Sequence, residues 1–321
     1  MNYEYEHYKK EIFNILDNKI EYYDLSDYIM DINEENLSYK TIFNALKLNK
    51  SITTLNIIIK KQYFDDMPKG YEFIQHISKF INNKSNIKTL IITSSNTSIL
   101  TLNKLKPLFD VLQYNTYIKT LDLSNSDIIT FLNEEFYKIN DYFHNLNIYY
   151  SNLLYSNKIG DENLDDEDKA TVNDSKEQLQ KQLLTILLLY IKHNPFFNLL
   201  KNNKTITTLN LSVPEHLTQS IYNDICLNKN YYINDLLYIN EFIQKNKSIK
   251  TLNIKNRICK FKEILHIIKN NECLEEISFT LYKESSFDKN YKQTLQEYYN
   301  ENEYLKRIEF NFRDDVSLCF N

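Results

Sequence analysis

The side chains that usually carry catalysis or bind metals are scattered along this sequence. Its six histidines form no His-Glu-x-x-His motif, and its cysteines, Cys226, Cys259, Cys273 and Cys319, show no Cys-x-x-Cys spacing. Zinc sites and disulfide frameworks rely on such close pairs. We therefore predict no catalytic residue, no metal and no cofactor, and we expect the reduced thiols that are usual in the cytosol.

Sites that depend on glycine are also excluded. The chain has only two glycines, Gly70 and Gly160. Phosphate-binding loops and nucleophile elbows need several glycines, because their backbones adopt positive φ or lie very close to a ligand. The sequence therefore contains no P-loop, no dinucleotide fingerprint and no Gly-x-Ser-x-Gly elbow.

One acidic stretch has part of the spacing of a calcium loop. Asp161, Asn163 and Asp165 alternate as the first ligands of an EF-hand do. Asp166 then stands where glycine should turn the chain, and Val172 stands where a bidentate glutamate should close the site. The pattern favours a solvated loop over a calcium site.

The same stretch holds most of the net charge. The chain carries a formal charge of -5, and residues 161–177 contain eight acidic side chains against two lysines. With so few large apolar residues, 160–177 is predicted to be a disordered acidic insertion. The remainder is nearly neutral, so a basic footprint for nucleic acid or an anionic membrane is missing as a bulk property.

The apolar segments are short. The N-terminus lacks the apolar core of a signal peptide, and the longest apolar run, around residues 183–191, is far shorter than a membrane span. Hydrophobic residues nevertheless make up 42% of the chain and charged residues 25%, which is typical of a globular protein. We expect a folded, cytoplasmic protein with no membrane and no nucleic-acid partner.

The main pattern is a repeat. A nine-residue frame, Asn-x-x-apolar-x-x-apolar-x-apolar, recurs along the chain. It begins at Asn49, Asn115, Asn203, Asn246, Asn271 and Asn302, and a copy with one extra residue begins at Asn83.

Each copy predicts a helix, a turn and a strand. The alternation of Leu209 and Leu211 with polar residues is typical of a strand with one buried face. Before many copies, apolar residues recur at helical spacing, as from Leu105 to Leu112 and from Phe261 to Ile268. The asparagine then stands where the helix ends, and we expect it to cap the helix in the left-handed conformation that glycine usually adopts.

The strand segments resemble the L-x-x-L-x-L half of leucine-rich repeats, specifically the helix-containing, ribonuclease-inhibitor-like type. This resemblance implies an α/β solenoid with a curved parallel sheet and helices outside it. The family's next landmark, an Asn or Cys three residues after the last apolar strand position, is replaced in every copy, so the resemblance does not extend to the usual buried asparagine ladder. The composition is similar to that of repeat proteins from protists and large DNA viruses.

The repeat also sets the domain boundaries. Residues 1–38 lack the frame and are predicted to be an N-terminal cap, and residues 39–321 form the solenoid with its acidic insertion. The buried anchors of the frame are mostly spaced for one helix, one turn and one strand, but 88 residues separate Leu121 from Leu209. We expect further units in that gap, one of them around Leu146 and Ile148.

In leucine-rich repeats the ligand surface is usually the concave side of the sheet. The resemblance therefore implies a partner-binding site made of the strand residues that point away from the core. On the last four copies these residues are Thr208, Asn210, Thr251, Asn253, Glu276, Ser278, Arg307 and Glu309. The last two copies carry more charge than the earlier ones, so we expect binding to concentrate at the C-terminal end.

These observations favour a non-catalytic scaffold for protein–protein interaction with a protein partner. One alternative is the substrate-recognition subunit of a ubiquitin ligase, in which residues 1–38 would be the docking segment. Another is a GTPase-activating protein, an activity found in one ribonuclease-inhibitor-like branch. The latter requires an accessible catalytic Arg or Asn in a loop, and the sequence does not single one out.

Overall fold

We describe the fold from a computed structural model. The described residues are 2–26, 39–60, 67–95, 102–124, 194–212, 242–259, 261–281, 291–312 and 315–320. The predicted acidic insertion, the calcium-like spacing at Asp161 and the suspected copy around Leu146 and Ile148 lie outside these ranges.

Helices and strands alternate along most of the described chain. The helices are α1 (Asn2–Leu16), α2 (Tyr39–Leu48), α3 (Met67–Asn82), α4 (Leu102–Leu112), α5 (Pro195–Asn202), α6 (Phe261–Asn270) and α7 (Tyr291–Glu301). The strands are β1 (Tyr22–Ser26), β2 (Thr54–Lys60), β3 (Thr89–Ser95), β4 (Thr120–Asp122), β5 (Thr208–Asn210), β6 (Thr251–Cys259), β7 (Glu276–Leu281), β8 (Arg307–Phe312) and β9 (Asp315–Phe320).

The strands form one sheet in sequence order, from β1 to β9. Neighbours from β1 to β8 pair in parallel, and β9 returns antiparallel to β8. Consecutive parallel strands joined by helices are the arrangement that the repeat predicts, so the α/β solenoid is confirmed. The antiparallel strand β9 was not predicted.

The repeated anchor residues form a single buried row. Leu90 pairs in register with Leu55 on one side and with Leu121 on the other, and Leu252 pairs with Leu209 and Ile277. Each of them is at most 1% exposed. They belong to the same apolar core as the inward faces of the helices, including the predicted face of α4 from Leu105 to Leu112.

Leu121 and Leu209 are direct register partners, because β4 pairs with β5. No described strand lies between them in the sheet. The further units expected in this gap, including the copy around Leu146 and Ile148, fall outside the described residues and stay a prediction.

The N-terminal segment continues the repeat. Helix α1 packs on α2, and β1 pairs with β2 so that Tyr23 lies beside Leu55 and Leu25 beside Ile57. Counting back from Tyr23 puts Asp17 at the position of the repeat asparagine. Residues 17–25 therefore follow the spacing of the frame, with Asp17 in place of the asparagine, and the role of residues 1–38 as a cap stays a prediction.

A row of asparagines joins each unit to the one before it. In six copies the asparagine Oδ1 accepts hydrogen bonds from the backbone N–H groups two and three residues later, at 2.7 to 2.9 Å. Its Nδ2 donates to a carbonyl at the end of the preceding unit's helix. The row consists of Asn49, Asn115, Asn203, Asn246, Asn271 and Asn302, and it is called the asparagine ladder below.

The prediction of left-handed helix caps is wrong. Asn203 ends α5 with φ -70° and ψ 132°, which is extended backbone. Among the described non-glycine residues, only Asn18 has positive φ, at 52°. The extended conformation turns the ladder side chain inward, where it satisfies backbone groups of two units at once. The sequence thus has a buried asparagine ladder, at a different position of the repeat from the family's usual one.

Candidate functional site

The sheet has one face packed against helices and one open face. The side chains of Leu209 and Leu252 point into the core, and those of the residues on either side of them in the strand point to the open face, because side chains alternate along a strand. The open-face residues of the last parallel strands are half-buried or exposed, except Thr280 on β7, which is buried. All eight predicted partner-binding residues lie on this face.

Register arranges these eight residues in two rows across the strands. The first row places Thr208, Thr251, Glu276 and Arg307 side by side. The second row places Asn210, Asn253, Ser278 and Glu309 side by side. With parallel strands about 4.8 Å apart, eight strands make a surface about 34 Å long.

The first strands supply a hydrogen-bonded group at one end of the open face. The Tyr22 hydroxyl donates to Asp24 at 2.6 Å, and Asn56 donates to the same carboxylate at 2.8 Å. Thr93 in turn donates to the side-chain oxygen Oδ1 of Asn56 at 2.7 Å. Partial burial, followed by the hydrogen bond to Asp24, raises the pKa of Tyr22.

An ionic group lies at the other end. The Lys255 ammonium pairs with one oxygen of Glu309, and Arg307 donates to the other oxygen at 3.1 Å. Glu309 is therefore held by two cations, and one of them, Lys255, was not among the predicted site residues. Its position two residues after Asn253 on the same strand was a signal that could have identified it.

Between these ends, five of the eight predicted side chains have no partner among the described residues. They are Thr208, Thr251, Asn253, Glu276 and Ser278, on the adjacent strands β5, β6 and β7, and we call them the open patch. Asn210 differs, because its Nδ2 donates to Asp122 at 3.1 Å. The structure thus brings five of the eight predicted residues together as available donors and acceptors and engages the other three in hydrogen bonds.

Among the described residues, no group of three or more His, Cys, Asp and Glu residues is arranged to hold a metal ion. Cys273 has a free, partly buried thiol. None of the described helices is long and apolar enough to cross a membrane.

A second ionic group lies just before the strands, at Glu275. Glu275 accepts from Lys250 and from Lys306, which lie on the units before and after it. These two hydrogen bonds, made by positively charged groups, lower the pKa of Glu275 to about 2. The pKa of Lys250 is raised by the same contact.

The strand order and the register define an α/β solenoid of leucine-rich-repeat type. No family model matches the sequence, and no curated protein matches it.

Two solved structures show a distant similarity. A tropomodulin C-terminal domain from Caenorhabditis elegans is 8% identical, with 69% of this chain and 96% of that chain covered and a TM-score of 0.31. The actin-binding site 2 of leiomodin-1 is 16% identical, with 74% of this chain and 88% of that chain covered and a TM-score of 0.34. Similarity at this level does not identify a partner, and neither comparison bears on a protist or viral origin.

Proposed function

We propose that this protein is a non-catalytic interaction module that binds a protein partner on the open face of its sheet. The observation that supports the proposal is the open patch. Its five side chains are half-buried, lie on three adjacent strands and have no hydrogen-bond partner within the described chain. A partner can satisfy these groups without breaking any described contact.

The shape and chemistry of the patch suit a protein better than a small molecule. Its donors and acceptors repeat at the spacing of the strands on a broad sheet surface, whereas small-molecule sites are usually deep and mostly apolar. Hydroxyl, amide and carboxylate groups are also the ones that form the polar contacts of protein interfaces. The ionic group at Glu309 adds charge at one border, which would orient the partner.

The composition of the patch also favours binding over proton transfer. Glu276 is its one ionisable side chain, and general acid–base chemistry usually needs a second group of matched pKa. The remaining members are hydroxyls and an amide, which stay neutral. The ubiquitin-ligase and GTPase-activating alternatives have no observation in their favour among the described residues.

The test compares two arginine substitutions at asparagine positions. Asn253→Arg places a long charged side chain in the open patch, and Asn44→Arg places the same side chain on the exposed surface of α2. A partner is first captured from the source cells and identified by mass spectrometry, and its affinity is then measured for each purified variant. We expect at least tenfold weaker binding for Asn253→Arg and unchanged binding for Asn44→Arg.

Circular dichroism and thermal unfolding of both variants control for folding. If Asn253→Arg folds normally and binds the partner like the wild type, the open patch is not the binding surface. If Asn44→Arg alone weakens binding, the partner contacts the helical side of the solenoid.

A further inference from the structure

A basic pocket lies at the junction between helices and strands of the second and third described units. It is formed where α2 and α3 end, close to the start of β2 and β3. Its lining residues are Lys47, Lys50, Asn83, Lys84, Ser85 and Asn86. This edge of the sheet is separate from the open patch, so the inference goes beyond the proposed function.

Lys84 occupies a ladder position in this pocket. Thr89 pairs with Thr54, so the residue in register with Asn49 is Lys84. The extra residue of this copy moves Asn83 out of the ladder and onto the surface. There its Nδ2 donates to the backbone carbonyl of Lys79 in the preceding helix. A lysine therefore replaces the asparagine of the other copies.

The Lys84 ammonium is held inward. Lys84 is only 8% exposed, and its Nζ donates to the carbonyl oxygen of Asn49 at 2.5 Å. An ammonium has three N–H groups, and this bond uses one of them. The Nζ also lies over the Phe80 ring, 5.9 Å from its centre, so at least one N–H group remains for a group that enters the pocket.

The positive charge of the pocket is not neutralised by any described carboxylate. Within the described ranges, Lys47, Lys50 and Lys84 form no ion pair, whereas Lys250 and Lys306 both pair with Glu275. Burial, and after it the nearby charge of Lys50, lowers the pKa of Lys84. Three lysines thus line the pocket, and none of them is paired with a described carboxylate.

Neutral donors and further lysines complete the surroundings. Ser85 and Asn86 also line the pocket, and Asn86 is fixed there because its Nδ2 donates to the Ile52 carbonyl at 2.6 Å. Exposed lysines continue along the same edge on the following units at Lys88, Lys119 and Lys204, whereas Lys247 is paired with Glu272. They would attract an anion towards this side of the molecule.

We propose that this pocket binds an oxyanion of the phosphate class, either free phosphate or a phosphate monoester. A dianion there would accept hydrogen bonds from Lys84 and Ser85 and would relieve the repulsion between Lys84 and Lys50. Lysine is a common ligand of phosphate, because its ammonium is a compact positive charge that donates several hydrogen bonds. Carboxylates carry half that charge and would compensate the three lysines less completely.

The experiment titrates the isotopically labelled full chain with inorganic phosphate and follows backbone amide resonances by NMR. Phosphoserine is titrated in parallel, and sodium chloride at matched ionic strength controls for general screening. We expect saturable shifts at Ser85 and Asn86 with both phosphate ligands. Tighter binding of phosphoserine would assign the site to a monoester, and equal or tighter binding of phosphate would assign it to the free ion.

Two variants remove charge with little risk to the fold. Lys84→Asn supplies the residue that the other copies have at this position, and Lys50→Gln changes an exposed lysine. Both should weaken phosphate binding at least fivefold. The matched control is Lys262→Gln, on the exposed side of α6, which should bind phosphate like the wild type.

The proposal is overturned if phosphate shifts these resonances no more than chloride does. It is also overturned if folded Lys84→Asn binds phosphate as tightly as the wild type.

Discussion

Asn246 donates a hydrogen bond from its side-chain amide to the carbonyl oxygen of Leu200, 2.6 Å away and one unit earlier in the solenoid. Its Oδ1 meanwhile accepts from the backbone N–H groups of Ser248 and Ile249, at 2.8 and 2.9 Å. The asparagine therefore fixes the turn into its own strand and the contact with the preceding unit. This double role explains why the residue recurs in nearly every copy.

The first prediction tests the ladder. Asn246→Ala should lower the free energy of unfolding by about 3 kcal/mol, because buried backbone groups lose their partners. The control is Asn83→Ala, which alters the same Asn-Lys-Ser sequence at an exposed position and should change stability by less than about 0.5 kcal/mol. Urea unfolding followed by circular dichroism measures both. Equal losses would show that the ladder has no special role.

The second prediction tests the repeat frame. Leu209 is fully buried on a central strand, so Leu209→Ala should cost about 2 to 5 kcal/mol through lost burial and a residual cavity. Thr208→Ala changes the neighbouring residue on the open face and should cost less than about 0.5 kcal/mol. The same unfolding measurement applies. A smaller loss for Leu209→Ala than for Thr208→Ala would reverse the assignment of the two faces.

The repeat made the fold predictable. Residues such as Leu90 and Leu252 recur with the period of the frame, and that period alone implies stacked helix–strand units with one buried row. Register is a property of pairing between distant strands, so the spacing between anchors could not reveal that Leu121 lies directly beside Leu209. The unit made of α1 and β1 was not recognised as a copy of the frame, because Tyr23 and Asp17 replace the usual leucine and asparagine.

The candidate site was predictable in position but not in its contacts. Strand alternation was sufficient to place Asn253 and Ser278 on the open face. It could not show that Lys255 reaches Glu309, because that pairing spans an intervening strand. The basic pocket was not predicted, because the frame was placed on Asn83. Counting back from Thr89 and Leu90 on β3 places Lys84 in the ladder instead.

The third prediction concerns pH. The folded-state pKa of Glu275 is depressed to about 2 from 4.5, so its contribution to stability is present above the unfolded-state value and is lost as pH falls from about 4.5 towards 2. The difference in unfolding free energy between the wild type and Glu275→Gln should therefore shrink across this range. Chemical denaturation at several pH values measures it. A difference that stays constant would mean that Lys250 and Lys306 do not lower the pKa of Glu275.

The fourth prediction concerns the ionic group at the C-terminal end of the open face. Arg307→Gln leaves the contact between Lys255 and Glu309 intact and should change stability by less than about 0.5 kcal/mol. Exchanging the charges by Arg307→Glu with Glu309→Arg places an arginine beside Lys255 and should cost up to about 1 kcal/mol, because the group is partly exposed. Thermal and urea unfolding compare the two. Equal stability would show that the contact of Lys255 with Glu309 contributes nothing.

The most direct test of the open face as the binding surface is site-specific photo-crosslinking. A benzophenone amino acid is placed at Ser278 in one preparation and at Asn44 in another, each is irradiated in an extract of the source cells, and the products are analysed by mass spectrometry. We predict a discrete crosslinked protein from Ser278, lost when Asn253→Arg is added, and no such product from Asn44. A discrete product from Asn44 alone would contradict the account, because it would place the partner on the helices.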